Sequence, residues 1–379
     1  MDLKNDFAFT PQPPLSPFTK VPQAAPLPSA GIWSPQPHPA PIQQSLNPVP
    51  VTPASLPPGA VTAKQFPVAS APPTGVQPPS PATGAAGAAG AAGANAIQTV
   101  TDLGPLKNLA GEWSGTGFNV IWRPNNTSGS DHFLEINLTN ETLEFIEIPG
   151  DIPNRGLFQG DISMRGLRYL QQIQDRITKQ GLHIEPGLWA LVPSTNNPLE
   201  PQTVVRMASI PHGTSLLAQG TVSNSSGGPA IPPVSISPFL IALPNQQLPF
   251  PETNLEVISS FRSPPTQTTG VTQAMLNNPN SILIGALANQ IIKQTTQLNV
   301  SSGPTPVIGG GIANTAFLIG GASGPNAQAS LVTASFWIEL VAGANGKPEF
   351  LQLQYSQTVM LNFAGLSWPH VSVATLQKV

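Results

Sequence analysis

The sequence contains no cysteine, which excludes disulfides, thiolate metal sites and thiol nucleophiles. Charge is scarce too: Lys, Arg, Asp and Glu make up 9% of the chain, and the formal net charge is −3. Lys and Arg nowhere cluster. That excludes the electrostatic footprint of a nucleic-acid binder and the polybasic segment of a protein held at an anionic membrane. No run of about 18 apolar residues occurs, so no membrane span is predicted. The opening Met1-Asp2-Leu3-Lys4-Asn5-Asp6 carries no apolar core of a secretory signal, and the expected compartment is the cytoplasm.

Proline, by contrast, is abundant, and it is unevenly spread. Positions 1 to 100 hold no Glu and no Arg, only Lys4, Lys20 and Lys64, with pairs such as Pro13-Pro14, Pro57-Pro58 and Pro78-Pro79. Each proline fixes φ and removes a backbone donor, so neither a helix nor a sheet ladder can run through such a stretch. The isolated Phe7, Phe18, Trp33 and Phe66 bury too little surface to offset roughly 1–2 kcal/mol per residue of ordering entropy. A disordered tail is expected over 1–83. A flexible Gly/Ala linker over 84–100 follows, built on the Gly-Ala-Ala repeat from Gly84 to Gly93. The segment 101–379 has the composition of one large folded domain.

That domain reads as all-β. Residues 114–122, 133–138 and 142–148 follow one another quickly, with Asn/Ser/Gly turns between them and apolar residues at alternate places. Further strands are expected at 167–177, 182–192, 203–210, 215–222, 255–261, 316–319, 329–341, 350–363 and 370–376. Together they predict an antiparallel barrel or sandwich of about 10–12 strands. One amphipathic helix is predicted over 279–297, where Ile282, Leu283, Ala286, Leu287 and Ile291 recur at three- and four-residue spacing after Asn278-Pro279. It would either close one end of the barrel or act as a lid. Long proline- and glycine-rich connections run over 227–251 and 303–311.

The domain opens with Gly111-Glu112-Trp113-Ser114-Gly115-Thr116-Gly117. A Gly-x-Trp on the first strand of a β-rich domain resembles the calycin barrels, the group that includes lipocalins and fatty-acid-binding proteins. The wider phrase is similar to nitrobindin-type haem-binding barrels and to bacterial and fungal proteins called haem-binding or fatty-acid-binding-like. The likeness extends through Ile152-Pro153-Asn154-Arg155-Gly156, Tyr169-Leu170-Gln171-Gln172-Ile173 and His183-Ile184-Glu185-Pro186-Gly187. It continues in Ile210-Pro211-His212-Gly213, Phe336-Trp337-Ile338-Glu339 and Trp368-Pro369-His370-Val371. The resemblance implies a calycin-like antiparallel barrel with Gly111 and Trp113 at its closed end, a small hydrophobic ligand inside, and haem as the leading candidate cofactor. In nitrobindins the iron ligand is a histidine near the C-terminus, and His370 occupies the comparable place here.

Of the five histidines, His38 falls in the tail, leaving His132, His183, His212 and His370. None has the short spacing of a zinc site. An axial haem ligand needs one neutral imidazole facing an apolar cavity with its second ring nitrogen held by an acceptor; each histidine is a candidate for that role or for a structural one. At the expected final strand, parity groups Trp368 with His370 and Ser372, and sets the more core-like Val371 and Val373 on the other face. His183 and Glu185 share a strand face, as a pair for acid–base work or as an exposed polar stripe. Arg206, between Val205 and Met207, needs an anionic partner: Glu135, Glu185, Glu339 or a bound acid. Arg155 is a second candidate for an anionic ligand group. No nucleophile elbow, phosphate loop or dinucleotide fingerprint is present. The expected function is therefore binding of a small hydrophobic or amphipathic ligand. The alternatives are an enzyme on the same barrel using His183 with Glu185, and a scaffold whose proline-rich tail recruits partners.

Overall fold

The structure is a computed structural model describing residues 102–379 apart from positions 128 and 304–308. The expected tail (1–83) and linker (84–100) lie outside the described residues. Ten long strands form a closed antiparallel barrel in simple chain order. They are β1 Gly111–Pro124, β2 His132–Glu147, β3 Ile162–Asp175, β4 Gly181–Val192 and β5 Thr203–Ile210. There follow β6 Thr214–Ser226, β7 Ile292–Ser301, β8 Gln328–Val341, β9 Phe350–Phe363 and β10 Leu366–Lys378. Each strand pairs with the next, and β10 returns to β1 over the register Trp113↔Lys378 to Ile121↔His370. Closure leaves no long edge unpaired.

Parity decides what each strand contributes. On β1, Trp113 and the partly buried Ile121 face the interior, while Phe118, Val120 and Trp122 face outward. An outward apolar face needs a cover, and the long passage 227–291 between β6 and β7 supplies it. Ile236, Leu276 and Leu283 from that passage pack on Val120, Trp122, Ile136 and Val371 as a second core outside the barrel. The indole Nε1–H of Trp122 donates to the Ile236 carbonyl at 2.8 Å. Where β2 runs beyond the end of β3, Leu134 exchanges backbone hydrogen bonds with Phe261 and Ser263 of the same passage.

Several local expectations are corrected. The single helix over 279–297 is replaced by two short ones, α1 Gln273–Asn277, capped by the Thr272 side chain, and α2 Ser281–Leu287. They pack against the outer wall and neither close an end nor form a lid. From Ile292 the chain is strand β7, because Thr295, Thr296, Leu298 and Val300, all but the leucine β-branched, are buried between two strand partners. Residues 316–319 form a helical turn, α3 Ala316–Ile319. Residues 255–261 are a loop of the outer cover and contain no strand. Expected strands 133–138 and 142–148 are one continuous β2.

One end of the barrel is plugged. Leu106 and Leu109, from the short turn preceding β1, pack with Trp113, Leu143 and Trp189. Trp113 is 1% exposed, and its Nε1–H donates to the Leu109 carbonyl at 2.7 Å. Gly111 has φ +119, a conformation an L side chain rarely adopts, and this lets the chain turn from the plug into the strand.

Candidate functional site

A belt of polar side chains crosses the barrel above the plug. Glu141 on β2 and Glu185 on β4 both point inward and are fully buried. A Cβ at Gly117 would meet a Glu141 carboxylate oxygen at 2.6 Å, so the glycine on β1 makes room for that group. Tyr355 donates to Glu141 at 2.6 Å and Thr139 donates at 2.8 Å, while the Gln171 amide donates to the Tyr355 hydroxyl at 3.0 Å. Burial raises the Glu141 pKa, and these hydrogen bonds only partly oppose it. Around Glu185, Arg206 donates through Nη2 at 2.5 Å, Tyr169 donates its hydroxyl, and His183 Nε2 lies 3.2 Å away. Burial alone would raise Glu185 as well. The Arg206 guanidinium and the hydrogen bonds from His183 and Tyr169 outweigh it, holding the carboxyl well below the usual range. Arg206 also donates through Nε to the Tyr169 hydroxyl at 3.0 Å and through Nη1 to the Gln357 side-chain Oε1 at 2.5 Å.

Above this belt, toward the end opposite Trp113, lies a cavity of about 310 Å³. Its walls include the apolar Ile121, Ile173, Ile210, Val332, Val359 and Leu361. Leu318 of α3 and Ala327 line it on the loop side. Gln171, Tyr355 and Gln357 carry the belt into its floor. His183, His212 and His370 all open onto it. His370 Nε2 lies 2.7 Å from the Asn119 Oδ1, and Ser372 donates to the same oxygen at 2.7 Å. Burial, reinforced by the neighbouring His183 and His212, depresses the His370 pKa to about 3. The imidazole is neutral at physiological pH, with Nε2–H donating to Asn119. Burial and His183 lower His212 in the same way, and the His183 and His212 rings are 5.7 Å apart.

The structure thus brings together three of the four candidate histidines from β4, the β5–β6 turn and β10. His132 goes elsewhere, into the outer core between Trp122, Phe250 and Trp368, with Asp131 2.8 Å from its Nδ1. Arg155 is an exposed loop residue paired with Asp161 at 2.6 Å, away from the cavity. Arg206 lies beneath the floor, fully engaged by protein groups. Strand alternation continues through Pro186, so His183, Glu185 and Trp189 share the interior face. Trp368 does not follow its parity with His370: it stacks on Phe363 in the outer core. No group of three His, Asp or Glu arranged to hold a metal ion occurs among the described residues.

Missed from the sequence were Asn119, Glu141, Tyr169, Tyr355 and the paired glutamines. A signal for them exists. The chain has two tyrosines, and each begins a Tyr-x-Gln phrase, Tyr169-Leu170-Gln171 and Tyr355-Ser356-Gln357. That spacing sets hydroxyl and amide on one strand face.

Fold and site define a ten-stranded meander barrel with a polar belt dividing an apolar plug from an internal cavity. No family model matches the chain, and no curated protein matches it. Among solved structures it is similar to the crystal structure of Rv2717c from M. tuberculosis, with 14% sequence identity and a TM-score of 0.33, over 73% of this chain and 97% of that one. No described helix is long and apolar enough to cross a membrane.

Proposed function

We propose that the barrel binds one small amphipathic molecule in the cavity above the polar belt. The observation that carries this reading is the cavity's two-sided lining, aliphatic walls meeting three imidazoles and the amides of the floor. Small-molecule sites have that composition, an apolar pocket with a few placed polar groups. The ligand's apolar part would lie against Val359 and Leu361, with its polar end toward His370 and Gln357. Because burial holds the His370 imidazole neutral, a neutral hydrogen-bonding head group suits it better than a cation.

Displacement of the fluorescent probe anilinonaphthalene sulfonate by medium-chain alcohols and acids tests the proposal. Leu361→Trp, which fills the cavity, should abolish probe binding, and His370→Ala should weaken the alcohols at least fivefold. Undiminished probe binding in Leu361→Trp would place the ligand elsewhere and sink the reading.

Haem is the second reading, and one observation favours it. His370 is a neutral imidazole with one ring nitrogen held by Asn119, the arrangement an axial ligand needs. The donor chemistry fits. The space, at about 310 Å³, lies at the bottom of the roughly 300–1,000 Å³ range of ligand pockets. A porphyrin would therefore have to project through the mouth. When bound, haem would supply redox or gas-binding chemistry, and His370 would hold it. A Soret shift on adding haemin, lost in His370→Ala, would select this reading. The enzyme alternative rests on the hydrogen bond between Glu185 and His183. Arg206 and Tyr169 both engage Glu185 Oε1, which leaves Oε2 to orient His183, and His183 would be the group that meets a substrate.

A further inference from the structure

We infer that the barrel docks mouth-first on a phospholipid bilayer, which sets the internal cavity against the lipid. The motive is an exposed apolar lip beside the cavity. Helix α3 lies against the β5–β6 turn, where the Thr315 N–H donates to the Gly213 carbonyl at 2.8 Å. A Cβ at Gly213 would meet the Leu318 side chain at 3.1 Å, so the glycine lets α3 seat closely. Leu318 lines the cavity. Its two neighbours face the other way: Phe317 is 74% exposed and Ile319 49%. A lone exposed hydrophobe needs no explanation. A pair flanking a side chain that reaches into the cavity carries the cavity's apolar surface outward past its rim, and such patches mark interaction sites.

Charge says what the lip meets. From Gln294 to Ile338 the sequence contains no Asp, Glu, Lys, Arg or His. On that side no charge has to be desolvated for Phe317 and Ile319 to enter hydrocarbon. The adjoining lip is the β3–β4 turn, close enough that the His183 and His212 rings stand 5.7 Å apart. At its tip Ile177 is 39% exposed, between the exposed Arg176 and Lys179. The acids nearby are engaged. Asp175 accepts from Asn137, Ile177 and Thr178, Glu135 pairs with Arg123 at 2.9 Å, and Asp131 lies 2.8 Å from His132. An apolar tip between two cations suits a bilayer surface: the isoleucine enters the acyl boundary while both cations stay at the phosphates. Two cations make no polybasic tether, so apolar insertion supplies most of the binding and they add a preference for anionic lipid. A protein partner is a poorer fit. Three side chains on two small lips fall short of the roughly 1,000 Å² of a specific protein interface, whereas a bilayer has no shape to match.

Flotation of the full chain with vesicles tests this, using phosphatidylcholine alone and an equimolar mixture with phosphatidylserine. The chain should float with both, and more tightly with the anionic vesicles at low salt. Phe317→Ser combined with Ile319→Ser should weaken binding to both at least tenfold. Arg176→Ala combined with Lys179→Ala should weaken only the anionic vesicles, by about fivefold per charge. These positions are exposed, so the substitutions leave the core intact. Because the chain has no cysteine, Ile319→Cys can carry a single polarity-sensitive fluorophore. Leu199→Cys, exposed on the β4–β5 connection at the plugged end, is the control. The label at position 319 should shift to the blue on vesicles and the label at 199 should not. The serine double variant should still bind the anilinonaphthalene probe in solution, which separates the surface from the cavity. A native chain that binds the probe and floats with neither vesicle overturns the docking alone. One that floats and binds no probe supports the docking and sinks the cavity reading. Undiminished flotation of the serine double variant, or a blue shift confined to position 199, also overturns the inference. So does a dimer in solution that Phe317→Ser dissolves, because a second copy then covers the lip.

Discussion

Glu339 lies on the outward face of β8 with a side chain fully removed from solvent. Its Oε2 accepts from Gln352 at 2.6 Å, and its Oε1 has no partner. Desolvation therefore dominates, and the single hydrogen bond does not offset it: the pKa is pushed up to about 7 from an ordinary 4.5. The sign of the consequence follows from proton counting. Between those two values the folded chain keeps a proton that the unfolded chain has lost, so stability falls as pH rises through the window. One pKa unit corresponds to roughly 1.4 kcal/mol, which puts the full effect at about 3 kcal/mol as an upper bound. Glu339→Gln keeps the shape and the contact with Gln352 and never ionises. Near pH 5 the variant and the native chain should be almost equally stable. By pH 8 the variant should be more stable by about 2–3 kcal/mol, with other titrating groups cancelling in the difference. Urea unfolding of both proteins at half-unit steps from pH 5 to 8.5 measures it. Parallel stability curves across that range would show that Glu339 is hydrated or paired in solution, and the desolvation argument would fall.

Two further perturbations probe the plug and the polar belt. Trp113→Ala should destabilise the protein by about 3–5 kcal/mol, as for other large buried aromatics; a loss below about 1 kcal/mol in thermal unfolding would mean the plug does not depend on the indole. Arg206→Met should cost about 3–5 kcal/mol because it strands Glu185 as an uncompensated buried charge. In the native chain Glu185 has a depressed pKa, so its contribution is present above the ordinary Glu value of 4.5 and drains away at more acid pH. Acid-unfolding curves of the variant should lack that limb, and an unaltered limb would assign it to other carboxylates.

How much of this was legible in the residues varies with what each strand face meets. Strands β4, β5, β8 and β9 were readable almost to their ends, since their apolar residues alternate cleanly between turns. The midpoint of β2 was not. Leu138-Thr139-Asn140-Glu141-Thr142 has the composition of a turn. In the barrel Thr139 and Glu141 point into the polar belt, so the residues that hid the strand are the ones that build the site. The segment following Ala288 misled in the opposite direction. Isoleucines at helical spacing favoured continuing the helix, but Ile291 and Ile292 belong to the approach and start of β7, where two neighbouring strands supply the hydrogen bonds. Local pattern could not see those partners.

The same limit explains the reading of β10. Alternation set Val371 and Val373 opposite His370 and Ser372, and a barrel with one buried face would put the valines inside. This barrel is buried on both faces over β1, β2 and β10, because the passage 227–291 covers it from outside. The valines belong to that outer core, and the inward face is left free to be polar. Hydrophobicity alone therefore ranks the two faces in the wrong order wherever a strand is covered twice. The discriminating signal lies in the partner strand. Asn119, opposite Ser372 in the register, sits on β1 between the outward Phe118 and Val120, with Gly117 and Ile121 at its own parity. A polar residue flanked by two bulky apolar ones on a strand that begins with a plugging tryptophan marks the inside of the barrel, and it carries His370 there with it.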